Sequence, residues 1–226
     1  MVEVQTTGGV GAGLTLTNII FDDAGKKEGT VFAQAVSDGS VGAASNDNLV
    51  YVQDAIIASN ATVTTTITLG DGAVLRNFGG MSAVRATGEA KLVMEPGSVI
   101  EDASSITRSK GDAGSVGPAG AVWLQGSDFE MENGAEIKNV NGRAVYADGG
   151  SVSVGGTISG IIGNPAMWQG KDGTAIHLRG SAKATLNGKI SDCTEGVLVF
   201  VDKAVFEMAT GSFLGNSDAA GIKTNE

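Results

Sequence analysis

Of the side chains that carry most chemistry, this 226-residue chain has almost none: a single cysteine, Cys193, and a single histidine, His177. One cysteine excludes an internal disulfide and a cysteine zinc cluster. One histidine excludes a His-pair metal site, and we expect neither a metal nor a cofactor. Aromatic residues make up only 5% of the chain and prolines number three, so neither an aromatic-rich core nor a proline-rich linker is present. No apolar run reaches the length of a membrane span, and no membrane insertion is expected. Basic residues are too few to bind a phosphate backbone. With a net charge of −10, the chain is not expected to have a nucleic-acid partner. Lys26-Lys27 and the Arg108/Lys110 pair, both in glycine- and serine-rich stretches, read as solvated loop charges. The start, Met1-Val2-Glu3-Val4, has neither the basic end nor the apolar core of a signal peptide.

What the chain does have is glycine, 35 of them without a Gly-X-Y period, among Val, Ile, Ala and Leu. That composition suits short strands and tight turns. A repeat emerges once the apolar alternation is put in register. Ala83-Val84-Arg85-Ala86, Ala121-Val122-Trp123-Leu124, Ala144-Val145-Tyr146-Ala147, Ala175-Ile176-His177-Leu178 and Val197-Leu198-Val199-Phe200 align. A second alternating run follows each: Leu92/Met94, Phe129/Met131, Val152/Val154, Ala184/Leu186 and Phe206/Met208. Then comes a glycine, at 97, 134, 156, 188 and 211, and a third apolar element at Val99, Ile137, Ile158, Ile190 and Phe213. Upstream, Val50-Tyr51-Val52-Gln53 with Ile67-Thr68-Leu69, and Val2-Glu3-Val4-Gln5 with Leu14-Thr15-Leu16, extend the register.

A unit of three short strands has too little apolar surface to fold alone, and stacking copies buries the inward residues in continuous columns. The pattern predicts an all-β solenoid of about seven coils, at 2–23, 49–78, 82–102, 121–141, 143–162, 174–194 and 196–216. Residues 1–226 read as one domain, with an irregular start (1–48), regular coils (49–216) and a tail (217–226). Corner glycines are expected to supply positive φ. Asn18, Asn139 and Asn216 are expected in turns at the ends of third strands.

The repeat resembles the pectate-lyase-like right-handed parallel β-helix superfamily. Gly155-Gly156-Thr157-Ile158-Ser159-Gly160 and Leu14-Thr15-Leu16-Thr17-Asn18 are similar to repeats of large bacterial surface proteins. The resemblance is good over 49–216 and poor over 1–48. It implies a right-handed parallel β-helix and an extracellular or cell-surface address, and it carries scaffold motifs rather than catalytic ones. Its polygalacturonase branch has clustered Asp residues beside Gly-His-Gly, whereas here the histidine stands in Ile176-His177-Leu178. Its lyases use acidic calcium clusters and a basic proton acceptor. Arg85 or Arg179 beside Asp148 would imitate that only thinly, because calcium takes six to eight oxygens.

Three segments interrupt the repeat, at 24–48, 103–119 and 163–173, all leaving between a third strand and the next first strand. If Val122 and Leu124 face inward, Trp123 faces outward, in one column with Tyr51, Arg85, Tyr146, His177 and Val199. Two residues further along lie Gln53, Thr87, Gln125, Asp148, Arg179 and Val201. Rings flanked by Arg, Asp and Gln suit a sugar, and Trp168 could cover the same strip. The expected ligand-binding set is therefore Tyr51, Arg85, Trp123, Gln125, Tyr146, Asp148, His177, Arg179 and Trp168. The competing expectation, of equal weight, is that these rings seal the excursions to the scaffold. Cys193, aligned with Val140 and Ile161, and Met94, Met131 and Met208 read as core.

The composition and resemblance point to a non-enzymatic, adhesin-like or glycan-binding surface module, with a polysaccharide or cell-surface glycan as partner. The alternatives are a polysaccharide lyase or glycoside hydrolase, and a purely structural spacer. With no capping helix legible before residue 14 or after 216, a piece of a longer repeat protein, or self-association end to end or side by side, is expected.

Overall fold

The computed structural model describes residues 2–4, 13–22, 56–80, 82–105, 120–162, 173–194, 196–215 and 220–225. Among them every element is a strand, and every strand pair is parallel. No helix among them is long and apolar enough to cross a membrane.

The coils follow the expected order. The first holds β1 (Val2–Val4), β2 (Gly13–Leu16) and β3 (Ile20–Asp22). In the second, β4 (Ile56–Leu69) runs through both the first and second strand positions before β5 (Val74–Arg76) and a short β6 (Gly79–Gly80). The third repeats this plan with β7 (Val84–Met94), β8 (Val99–Glu101) and β9 (Ser104–Ser105). The fourth comprises β10 (Val122–Gln125), β11 (Asp128–Met131) and β12 (Glu136–Lys138). The fifth comprises β13 (Arg143–Asp148), β14 (Ser151–Val154) and β15 (Thr157–Ser159). The sixth has β16 (Gly173–Arg179), β17 (Lys183–Leu186) and β18 (Lys189–Ser191). The seventh has β19 (Gly196–Asp202), β20 (Val205–Met208) and β21 (Phe213–Leu214). Last comes β22 (Ala220–Asn225), which pairs with β19.

First and second strands form one 13-stranded sheet because β4 and β7 bridge them, and the third strands form a separate seven-stranded sheet. This is a parallel β-helix. Its interior is columns of like residues. Val84, Val122, Val145, Ile176 and Val199 stack from coil to coil, all fully buried. Leu75, Ile100, Ile137, Ile158 and Ile190 do the same on the third strands. Each such side chain contributes about 1.5–3 kcal/mol by leaving water. Cys193, Val140 and Ile161 are buried as expected, and so are Met94 and Met131; Met208, in the seventh coil, is 45% exposed.

Several sequence expectations need correction. Ile56 and Ile57 pair with Val84 and Arg85, where Val50 and Tyr51 were expected; residues 50–53 themselves lie outside the described residues. In the third-strand column Ile100 and Leu214 replace Val99 and Phe213. Both errors of phase arise where two apolar residues are adjacent, so that alternation cannot say which faces inward. The same happens in Val197-Leu198-Val199-Phe200-Val201. There the ladder settles it: Val199 pairs with Ile176 and faces inward, while Phe200 pairs with His177. Gly173 and Gly196 lock this phase, since a Cβ on Gly196 would collide with the Gly173 carbonyl. Residues 220–225, expected as tail, form an eighth first strand. The start of the chain is less irregular than expected, as β1, β2 and β3 pair with β4 and β5 in register.

The corner glycines serve two purposes rather than one. At Gly97, Gly134 and Gly211 a four-residue turn needs φ of +83°, +94° and +87°. At Gly156 and Gly188 the turn is two residues long and φ is not positive. There the glycine is required because a Cβ would strike the carbonyl oxygens of Ala135 and Gly156 respectively. After the third strands, Asn77, Asp102, Asn139 and Asp192 hold left-handed φ of 51–62°, residue types that tolerate it best after glycine. Asn139 Nδ2 donates to Asp102 Oδ1 at 3.2 Å, a bond to the coil before it rather than within its own turn. Asn18 belongs instead to the turn between second and third strands, where its amide donates to the Asp71 carbonyl. Asn216 lies outside the described residues.

Candidate functional site

The outward column of the first strands is real, and its order is Arg85, Trp123, Tyr146, His177, Phe200. Parallel pairing sets these residues side by side on consecutive coils, about 4.8 Å apart. Their neighbours along each strand, such as Val122 and Leu124, are buried, so alternation sends the column to the outer face. Arg85 Cζ lies 5.2 Å from the Trp123 ring centroid. The His177 ring sits between Tyr146, at 4.9 Å and tilted by 58°, and Phe200, at 4.7 Å and nearly edge-on at 68°. Arg143 Cζ lies 5.6 Å from the Tyr146 ring.

Facing outward does not make this column exposed. Tyr146 is 1% exposed, and Arg85, Trp123, His177 and Phe200 are partly buried. Tyr146 is therefore a packed ring rather than a free one. The segments expected to seal it, and Trp168 with them, lie outside the described residues.

The second outward column runs Thr87, Gln125, Asp148, Arg179, Asp202. Asp202 stands where Val201 was expected, a consequence of the same phase correction. Gln125 and Arg179 are exposed, and Arg179 alternates with two carboxylates, with its Nε 3.8 Å from Asp202 Oδ2. An exposed pair of this kind contributes about 0–1 kcal/mol. Sequence reasoning missed Phe200, Asp202 and Arg143. The first two were legible only through the Gly173–Gly196 pair, whereas Arg143 lies outside the repeated four-residue motif.

Electrostatics limit what the strip can do. Burial, and then the Arg143 and Arg179 guanidinium groups, push the His177 imidazole down from 6.5 to about 3. Such a ring is neutral at physiological pH and is a poor general base, which works best near the operating pH. Burial pushes the Tyr146 phenol up, against a smaller downward pull from the Arg179 guanidinium. Its hydroxyl is buried without a well-formed hydrogen bond. Cys193 is buried, raised to about 11 by desolvation, and directs its thiol at the Ser191 carbonyl, 3.4 Å away. Among the described residues no three of His, Cys, Asp and Glu gather closely enough to hold a metal ion.

No family model, curated protein or solved structure matches the chain.

Proposed function

We propose that the chain is a non-enzymatic surface module, adhesin-like in kind, that meets a glycan along the outer rim of its first strands. The observation that carries this reading is the rim itself. Partly buried Trp123 and exposed Gln125 lie two residues apart on the outer face of β10, with exposed Arg179 two coils further on in the Gln125 column. An indole edge and an exposed amide offer a sugar ring an apolar surface and hydrogen bonds. His177, the only imidazole, is held neutral inside a ring stack, which weighs against the lyase or hydrolase alternative. An extracellular address is part of the proposal and rests on the resemblance to surface-protein repeats.

The spacer reading draws on a different observation: Tyr146, at the centre of the strip, is 1% exposed. A glycan array probed with the wild-type chain and with Gln125→Ala and Arg179→Ala variants separates the readings. Binding that falls at least tenfold in either variant, with unchanged melting temperature, supports the rim. Silence on every glycan favours the spacer. Release of unsaturated sugar products, seen as new ultraviolet absorbance, overturns the non-enzymatic assignment.

A further inference from the structure

The stack around His177 has a property that neither glycan binding nor scaffolding requires. We propose that Tyr146, His177 and Phe200 form an acid-operated latch, closed while the imidazole is neutral and opened by its protonation. Opening loosens the outer faces of β13, β16 and β19 and exposes Tyr146.

The geometry favours this. The imidazole is flanked on the coil before by Tyr146 and on the coil after by Phe200, with centroids 4.9 and 4.7 Å away. Neither ring can replace the hydration a cation loses. The charged groups around it, taken from each described strand packed there, are two guanidinium groups and two carboxylates. From β13 come Arg143, held over the Tyr146 ring, and Asp148. From β16 itself comes Arg179, and from β19 comes Asp202. Both aspartates are level with Arg179 rather than with His177, and Asp202 pairs with it. A protonated His177 would be a further positive charge in a partly buried seam where, among the described residues, no carboxylate is in register with it. Attraction to the ring faces would offset part of this, but desolvation and the two guanidinium groups outweigh it, as the lowered imidazole pKa reflects. Swinging the ring towards water would relieve this cost, which is how the latch couples protonation to opening.

Because the chain has one histidine, its imidazole proton resonances are unambiguous in the full chain. The test follows them by NMR from pH 7 to pH 2, alongside amide hydrogen exchange. We expect no titration near the ordinary 6.5, and protonation at lower pH that coincides with lost protection in β13, β16 and β19. The third strands β12, β15 and β18 should stay protected at that point. A midpoint near 6.5 with all strands protected overturns the latch. So does protonation without a change in exchange, or simultaneous loss in the third strands. His177→Phe should keep the stack and abolish the local acid transition; opening at the wild-type pH would refute the assignment. Arg143→Gln, which leaves all three rings in place, should move the imidazole and opening midpoints upward together, and unmoved midpoints would count against the proposal.

Discussion

At the residue scale, the corner between first and second strands shows how one backbone conformation is met by different side chains. Gly126, Gly149 and Gly180 carry positive φ directly after β10, β13 and β16, and Lys203 does so after β19 with φ of 54°. A left-handed lysine costs about 1–2 kcal/mol, and glycine costs about 0.5–1 kcal/mol in chain entropy. The difference favours glycine, so Lys203→Gly should stabilise the chain by about 0.5–1 kcal/mol in urea denaturation. Cys193 gives a second test. Its thiol, raised from 9.0 to about 11, holds its proton more tightly when folded. That contribution is complete below pH 9 and is lost as pH rises through 11, a range worth on the order of 2–3 kcal/mol. Reaction with a thiol reagent at pH 8 should be at least about 100-fold slower in the native chain than in urea. Equal rates would show that the thiol is not buried.

At the element scale, the parallel strands divide their labour between columns. Inward columns carry the energy: Ile158, fully buried between Ile137 and Ile190, should cost about 2–5 kcal/mol when changed to alanine. Outward columns carry either charge or rings. On the third strands, Asp22, Arg76, Glu101 and Lys138 alternate in sign from coil to coil, with Arg76 2.6 Å from Asp22 and Lys138 3.5 Å from Glu101. With side chains 21–39% exposed, each such pair still reaches water, adds about 0–1 kcal/mol and mainly disfavours a register slip. The ring column of the first strands behaves differently because Tyr146 is 1% exposed. Tyr146→Ala should cost about 3–5 kcal/mol, like a core aromatic, and partly buried Trp123→Ala distinctly less. Chemical denaturation of both variants checks the order, and equal small losses would mean that the strip is not a packed seam.

At the scale of the whole molecule, a solenoid is held by contacts between neighbouring coils, so stability need not be uniform along it. The central coils are buried on both sides. In the seventh coil Val205, Met208 and Phe213 are 45%, 45% and 52% exposed, and Ile222 in β22 is 50% exposed. Native-state hydrogen exchange of this chain should therefore give the highest protection in β11–β15 and the lowest in β20–β22. Uniform protection would point to one cooperative unit instead.

Read alone, the sequence determined the parallel solenoid, its three-strand coil and most of its interior columns. It could do so because period-2 alternation, interrupted by glycine at a fixed place, repeats in register from Leu92/Met94 to Phe206/Met208. It failed on phase wherever apolar residues were adjacent, as in Val197–Val201, since a run without alternation has no inner and outer face until a neighbour supplies one. Only the tertiary structure supplied it, through the ladder of β19 on β16 and the close approach of Gly196 to Gly173. The candidate site divides the same way. Alternation placed Trp123, Tyr146 and His177 in one outward column, but it could not say whether that column meets water. Burial is a property of what packs across a face, and it depends on residues distant in sequence. That is why Tyr146 faces outward by register and is nevertheless buried in the folded chain.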